Sequence, residues 1–353
     1  MPEKLKPQDL KLPEGFAQRM VDWQRRQGRQ HLPWQHSRDS YRVWLSEIML
    51  QQTQVSTVLD YYPRFLQRFP DVAALAAAEQ DDVLALWSGL GYYSRARNLH
   101  RCAQDVVARF GGAFPESAEL LESLPGIGRS TAAAIAAFCF DERVSILDGN
   151  VKRVLTRVLG YGADLAVAAS ERELWALADQ LLPAQASDMP AYTQSLMDLG
   201  ATLCQPRKAQ CEACPVQQLC AARAQGQPLA YPIKTRKLKR SSATLWLLWA
   251  VNAQGQVWLH KRAGRGIWAG LFSLPVFEDE AALLAACPTA GTQQYIDPWK
   301  HVLTHRDLHL HPVRVELTRG LSPQYEGQWV SAQDWPQLGL PAPIRLLLEG
   351  HKG

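Results

Sequence analysis

The sequence predicts a mainly α domain that ends in a cysteine-rich loop, followed by a smaller α+β domain. Three observations predict this. Apolar residues recur at helical spacing, with short Pro/Gly breaks, up to about Ala222. Beyond a Gly/Gln/Pro stretch, Gln225 to Pro232, the apolar period becomes that of strands. Between the two regimes, Cys204, Cys211, Cys214 and Cys220 stand in the spacing C-x6-C-x2-C-x5-C. A chain of 353 residues suits two domains at roughly 100–200 residues each. The expected organisation is a helical domain over 1–225, a basic linker over 226–240 and a second domain over 241–353.

In chain order, the helical patterns cover 41–69, 81–86, 94–110, 131–140, 151–159, 171–182 and 191–204. After the linker, 244–251 and 257–261 are apolar or aromatic runs joined across Asn252-Ala253-Gln254-Gly255, a hairpin signal. Further strand-like runs fall at 308–317 and 328–330, with helical patches at 279–286 and 343–348. There is no internal repeat.

Composition excludes several classes. A chain 47% hydrophobic and 20% charged is globular rather than disordered. Its longest apolar run, Ala132 to Phe140, is far shorter than the roughly 20 residues of a membrane span. Residues 1–22 mix acids with bases and contain no apolar core of an export signal, so a cytoplasmic location and no membrane partner are expected. The charge is uneven: net −1 up to Gln225 and +5 beyond it. Lys234, Arg236, Lys237, Lys239 and Arg240 account for that surplus, and they read as a solvated linker that can also touch phosphate.

Cys102, Cys139 and Cys287 stand alone among apolar residues, as buried thiols do. The other four are close enough to close one metal site, either tetrahedral zinc or an iron–sulfur cluster. Disulfides do not suit a chain without an export signal.

Three constellations in the helical part carry chemistry. In Leu124-Pro125-Gly126-Ile127-Gly128-Arg129-Ser130-Thr131, a helix stops at proline, two glycines turn the chain and a second helix opens near Ser130. Gly126 and Gly128 let backbone N–H groups approach a phosphate, gripping DNA without reading sequence; an ordinary turn between helices is the plainer alternative. Asp148, in Ile146-Leu147-Asp148-Gly149-Asn150-Val151-Lys152-Arg153, precedes a helix and suits an N-cap. Glu47 lies in a helix apolar nearly all round, with Gln51 and Gln54 at i+4 and i+7 forming one polar stripe. A carboxyl buried beside amides has a raised pKa, which suits a general acid, unless an arginine neutralises it.

Five strings in order, WLSEIMLQQTQV around Glu47, GLGYYSRAR (89–97), LPGIGRST, ILDGNVKRV and the cysteine loop, make the chain resemble the MutY-type adenine DNA glycosylases. The resemblance covers essentially the whole chain. It implies a helix-hairpin-helix glycosylase domain with an iron–sulfur loop and a C-terminal α+β Nudix-like domain that recognises 8-oxoguanine. It implies removal of adenine mispaired with 8-oxoguanine or guanine in duplex DNA, by a monomer, and names no protein partner. The four cysteines would hold a structural 4Fe–4S cluster. Glu47 would protonate adenine at ring nitrogen 7, Asp148 would stabilise the oxocarbenium-like sugar by charge or by a transient covalent bond, and Asn150 would lie near that sugar. The base must first be flipped from the stack. Gln52 and Tyr92 would fill or wedge the opened duplex. Gln51, Gly126, Gly128, Ser130, Lys152, Arg207 and Lys208 would line the DNA.

Departures from the family pattern matter as well. Ser130 stands where bifunctional relatives carry a lysine nucleophile, so no Schiff base can form there and the enzyme should be monofunctional. Leu303, Thr304 and His305 replace a Phe-Ser-His tip that reads 8-oxoguanine; leucine still wedges and Thr304 keeps a hydroxyl. Gln30 replaces a basic residue before Leu-Pro-Trp. The stretch after Gly270, LFSLPVFEDE, lacks the pattern of a Gly-led Nudix helix with several magnesium-binding glutamates. His305, Asp307, His309 and His311 would share one face of a strand, and the alternation of a half-exposed strand accounts for them better than a metal site.

Overall fold

The computed structural model describes residues 12–35, 37–235, 239–287, 292–317 and 326–350. Arg236 and Lys237 of the basic run lie outside the described residues. The helices in chain order are α1 (Phe16–Gln27), α2 (Ser40–Leu50), α3 (Val55–Arg68), α4 (Val72–Ala77), α5 (Gln80–Leu86), α6 (Ser94–Phe110), α7 (Ala118–Glu122), α8 (Arg129–Phe140), α9 (Gly149–Leu159), α10 (Ala168–Gln180), α11 (Met189–Thr202), α12 (Ala221–Ala224), α13 (Glu280–Ala286) and α14 (Ala342–Leu348). The strands are β1 (Ser241–Val251), β2 (Val257–Lys261), β3 (Phe272–Ser273), β4 (Val276–Phe277), β5 (Gln293–Tyr295), β6 (Trp299–Val302), β7 (Arg306–Glu316) and β8 (Gln328–Val330).

The chain forms two compact units, and the division does not fall at one point. The first comprises 1–62, 71–73 and 102–237; the second comprises 63–70, 74–101 and 238–353. Among the described residues no helix is long and apolar enough to cross a membrane.

The first unit is helical. Its core joins Phe16, Met20 and Trp23 of α1 to Ala133, Ala134 and Ala137 of α8, Val151, Val154 and Leu155 of α9, and Leu196 and Leu199 of α11. The run of alanines on α8 is buried on all sides. Small side chains let neighbouring helices approach closely, which is why so short a helix can carry the centre of the unit. The single helix expected over 41–69 is two helices, because α2 ends at Leu50 and Gln52 adopts a left-handed backbone with φ 56°. The segment read as a linker is bound to this unit as far as Thr235: Leu165 N–H donates to Ile233 O at 3.0 Å and Thr235 N–H to an Asp164 carboxylate oxygen at 3.2 Å.

The second unit is built on a sheet of order β3-β2-β1-β7-β5, with β4, β6 and β8 pairing β1, β7 and β2. The hairpin expected across Asn252–Gly255 is present, and Gly255 takes the positive φ, 74°, that the turn requires. β1 and β7 run parallel over their whole length, from Ser241↔Arg306 to Val251↔Glu316. One sheet face, Leu248, Ala250, Val313 and Val315, packs on Leu283 and Ala286 of α13. The helical segment 74–101 belongs to this unit through Lys261 Nζ to Asp81 (2.7 Å), Tyr93 OH to Leu340 O (3.0 Å) and Arg97 to Ala269 O (2.7 Å).

Candidate active site

Glu47 sits on α2, most of whose side chains, among them Trp44, Leu45, Ile48 and Met49, are buried. Asp39 caps this helix by accepting from Arg42 N–H at 3.1 Å. Glu47 lines a cavity of about 490 Å³ together with Trp34, Arg29, Phe138 and Gln194. Burial, and secondarily the Asp148 carboxylate, push its pKa up to about 8, so the group is mostly protonated at neutral pH. The expected polar stripe is not there: α2 stops before Gln51 and Gln54, and Gln51 Nε2 donates to Thr131 Oγ1 of α8 at 3.3 Å. The raised pKa comes from burial, and amides at i+4 and i+7 are not its cause.

The polar end of the same cavity is fixed by a residue with no sequence signal beyond its isolation in an apolar helix. Asp198 of α11 is fully buried and accepts from Arg29 N–H (2.9 Å), Arg29 Nε (2.7 Å) and Gln194 Nε2 (2.8 Å). One carboxylate therefore orients two hydrogen-bonding side chains on the cavity wall. Gln30 turns away, donating to Gln24 O and Arg25 O.

Asp148 caps α9, accepting from Val151 N–H at 2.7 Å. The N-cap role is thus real, and the helix N-terminus favours an ionised carboxylate there. Burial raises the Asp148 pKa, and the backbone N–H groups of Val151 and Asn150 work against that rise. Asn150 Oδ1 accepts from Arg153 Nη2 at 2.8 Å. A Cβ on Gly200 would stand 2.7 Å from Asn150 Cβ, so only glycine lets α11 pass this close.

In the hairpin between α7 and α8, Gly126 has φ 78° and Gly128 caps α8. A Cβ on Gly128 or on Gly149 would meet nothing within 4 Å, so both turns face open space. Ser130 Oγ accepts from Leu147 N–H at 3.1 Å, which ties the first turn of α8 to the Asp148 segment. Lys152, placed on the DNA side by resemblance, pairs with Glu171 at 2.5 Å.

The four cysteines line one small cavity with Val154, Val158, Leu199 and Leu203. Burial, and then Cys204, Cys220 and Cys211, raise the Cys214 thiol, so the four thiols sit within electrostatic reach of one another. Arg157 Nη1 approaches Cys204 Sγ at 3.2 Å, a contact that suits a thiolate. Among the described residues no three His, Cys, Asp or Glu side chains meet closely enough to hold a single metal ion. An all-sulfur donor set lining one apolar cavity is the donor chemistry of an iron–sulfur cluster and of tetrahedral zinc alike. Arg207 and Lys208 are exposed on this loop, and among the described residues neither has a carboxylate partner.

Sequence reasoning missed Arg153 and Arg157, both buried on α9. Arg153 donates to Cys204 O (2.8 Å) and Gly200 O (2.7 Å) as well as to Asn150, and Arg157 donates to Gln205 O (2.9 Å). The cysteine loop and the Asp148 turn are thus opposite ends of one hydrogen-bonded helix. Arginine on an otherwise apolar helix face was the available signal.

In the second unit, Tyr92 has a left-handed backbone with φ 47°, and its hydroxyl contacts that of Thr304. Leu303, Thr304 and His305 form the turn between β6 and β7, with Thr304 and His305 exposed. Asp307 pairs with Arg240 and, at 3.9 Å, with Lys300. His309 is exposed and His311 stacks on Trp246 at 4.8 Å, as strand alternation predicts.

Residues 45–180 match the family model of the HhH-GPD superfamily base excision DNA repair proteins, and residues 246–350 that of the NUDIX domain. An adenine DNA glycosylase of Buchnera aphidicola from Acyrthosiphon pisum is 33% identical over 344 residues, covering 96% of this chain and 97% of its own. The adenine DNA glycosylase of Mus musculus is 46% identical over 217 residues, 59% of this chain and 41% of its own. A thermostable thymine-DNA glycosylase superposes with a TM-score of 0.53 at 27% identity, over 60% of this chain and 95% of its own. An endonuclease III bound non-covalently to DNA shares the fold, with a TM-score of 0.51 at 19% identity over 63% and 98% of the two chains.

Proposed function

We infer, from the premise that this chain belongs to the adenine DNA glycosylases of the HhH-GPD superfamily, that it removes adenine mispaired with 8-oxoguanine or guanine in duplex DNA. One observation carries the chemistry: Glu47 faces a cavity with its pKa raised to about 8, while Asp148 is held at a helix N-terminus. Two carboxyls in contrasting environments take the acid and the charge-stabilising roles.

The adenine leaves the stack and enters the cavity, where Arg29 and Gln194 offer hydrogen bonds to its edge. Glu47 gives its proton to ring nitrogen 7 as the N-glycosidic bond lengthens, so the base departs neutral. Asp148 opposes the positive charge developing on the sugar, by its field or by a transient covalent bond, and water completes the hydrolysis. Ser130 supplies no amine, so no Schiff base forms and the enzyme is monofunctional.

Cys204, Cys211, Cys214 and Cys220 hold a 4Fe–4S cluster, which when bound supplies structure rather than redox chemistry. The hairpin glycines and Arg207 and Lys208 grip phosphates, Gln52 and Tyr92 fill the opened duplex, and Leu303, Thr304 and His305 meet the base opposite the adenine. The protein acts as a monomer on DNA in the cytoplasm. Single-turnover excision from duplexes carrying adenine opposite 8-oxoguanine, guanine or thymine tests this reading: the expected order is 8-oxoguanine, then guanine, with thymine last. Equal rates on all three would overturn it.

A further inference from the structure

The turn at 303–305 is held by a residue that its sequence position assigns to a linker. Arg240 is the last base of the basic run and immediately precedes β1. Because β1 lies parallel to β7 in the register Ser241↔Arg306, Arg240 falls beside the turn that opens β7. Its guanidinium donates to Leu303 O at 2.9 Å and to Thr304 O at 3.1 Å, and it pairs with the Asp307 carboxylate. Ser241 N–H donates to the remaining carbonyl, His305 O, at 3.0 Å, and Leu303 N–H closes the turn on Arg306 O at 2.8 Å.

Two consecutive residues thus capture all three carbonyl oxygens of the turn. With its three carbonyls engaged, the turn leaves the Thr304 and His305 side chains exposed. A planar fork reaches two carbonyls and a carboxylate at once, which a lysine ammonium on its flexible stem does not. Arg240 is itself exposed, so the bonds it makes contribute little to global stability. Their effect is local order.

We propose that Arg240 is a positioning residue for opposing-base discrimination, fixing the 303–305 turn so that Thr304 and His305 meet the base opposite the adenine in one geometry. The proposal rests on the reading of that turn as the 8-oxoguanine reader.

The test compares the full-length protein with Arg240→Ala, Arg240→Lys and the double variant Thr304→Ala/His305→Ala. Single-turnover excision is measured on duplexes with adenine opposite 8-oxoguanine and opposite guanine, alongside amide hydrogen exchange over 300–307. Arg240→Ala should lower the 8-oxoguanine preference about tenfold, the scale of one lost charge-assisted hydrogen bond, while the rate on the guanine duplex holds. Exchange at 303–306 should quicken, and Arg240→Lys should fall between. A ratio unchanged in Arg240→Ala but reduced in the double variant overturns the proposal and leaves the reader assignment standing. A ratio unchanged in both overturns the reader assignment and the proposal together. Equal losses on both duplexes, with a shallower salt dependence, would make Arg240 a phosphate contact and overturn the proposal as well.

Discussion

The Ser130 hydroxyl accepts a hydrogen bond from the Leu147 backbone N–H, one residue before Asp148, at 3.1 Å. Its neighbour Thr131 accepts from Gln51, one turn beyond Glu47 on the chain, at 3.3 Å. The first turn of α8 therefore touches the segments that carry both acids.

That placement sets the first prediction. Ser130→Ala should slow excision by about 10- to 100-fold, the cost of a small displacement at a reacting centre, while binding to adenine:8-oxoguanine duplex is kept. Ser130→Lys should lose the same brace and gain an amine, giving a borohydride-trappable adduct at a reduced excision rate. The unmodified protein should leave the abasic strand intact until alkali is added. Trapping of the unmodified protein would contradict monofunctional chemistry.

The second prediction is a pH dependence. With the Glu47 pKa raised to about 8, the acid form persists through neutrality, and single-turnover excision should fall as pH rises through that value. Glu47→Gln cannot deliver a proton, so its rate should drop by at least ~10²–10⁴ and lose this limb, with DNA binding preserved. Stability carries the same signature. A carboxyl whose folded pKa lies above its ordinary 4.5 favours the fold at low pH, and that contribution is lost as pH rises toward 8. Glu47→Gln should therefore unfold at higher denaturant than the unmodified protein at pH 8. Denaturant midpoints of the unmodified protein and Glu47→Gln that keep a constant difference from pH 5 to 8 would contradict a raised Glu47 pKa in the folded state.

Much of this was legible from residues. Gly126 announces a turn that glycine makes most easily, Asp148 announces a cap, and Asn252 to Gly255 announce a hairpin, because each depends on local backbone chemistry. What escaped depends on partners distant in sequence. The break at Gln51 to Gln54 has no glycine or proline, so helical periodicity ran through it. Asp198 shows its meaning only once Arg29 arrives beside it. Arg240 looked like one base among five until the parallel pairing of β1 with β7 set it against the turn at 303–305.

The third prediction concerns Asp198. Removing it by Asp198→Ala leaves Arg29 beside an empty buried site, and should cost about 3–5 kcal/mol in urea unfolding. Excision should suffer as well, because Arg29 and Gln194 lose the group that orients them. A fully stable Asp198→Ala protein would show that Arg29 finds water in its place.

The fourth concerns the cysteine loop and its connection to the site. Purified protein should be yellow-brown, absorbing broadly in the visible as thiolate-ligated iron clusters do, whereas stoichiometric zinc in a colourless, active protein would contradict the cluster. Cys211→Ser should lose the colour and weaken DNA binding, because Arg207 and Lys208 lose their placement. Arg153→Leu separates placement from cluster loss. It removes the bonds to Cys204 O, Gly200 O and Asn150 Oδ1 while leaving all four thiolates. Iron content should stay near that of the unmodified protein while excision falls, because Asn150 and the Asp148 turn lose their support.

The last prediction separates recognition from chemistry. His305 is exposed on a turn of the second unit, whereas Glu47 and Asp148 belong to the first. His305→Ala should therefore leave the excision of adenine opposite guanine intact and reduce the preference for 8-oxoguanine. The measurement is the ratio of single-turnover rates on the two duplexes at limiting enzyme. Tyr92 gives the contrast. Its ring is exposed, its backbone is held in the left-handed region, and its hydroxyl meets that of Thr304. A non-glycine residue kept in that conformation is strained, and such strain persists where surrounding structure serves a site. Tyr92→Ala should lower the rate on both duplexes, since a lost wedge hinders base flipping whichever base lies opposite. If His305→Ala keeps the full ratio while Tyr92→Ala loses it, discrimination resides in the wedge, and the turn at 303–305 serves only to hold the duplex.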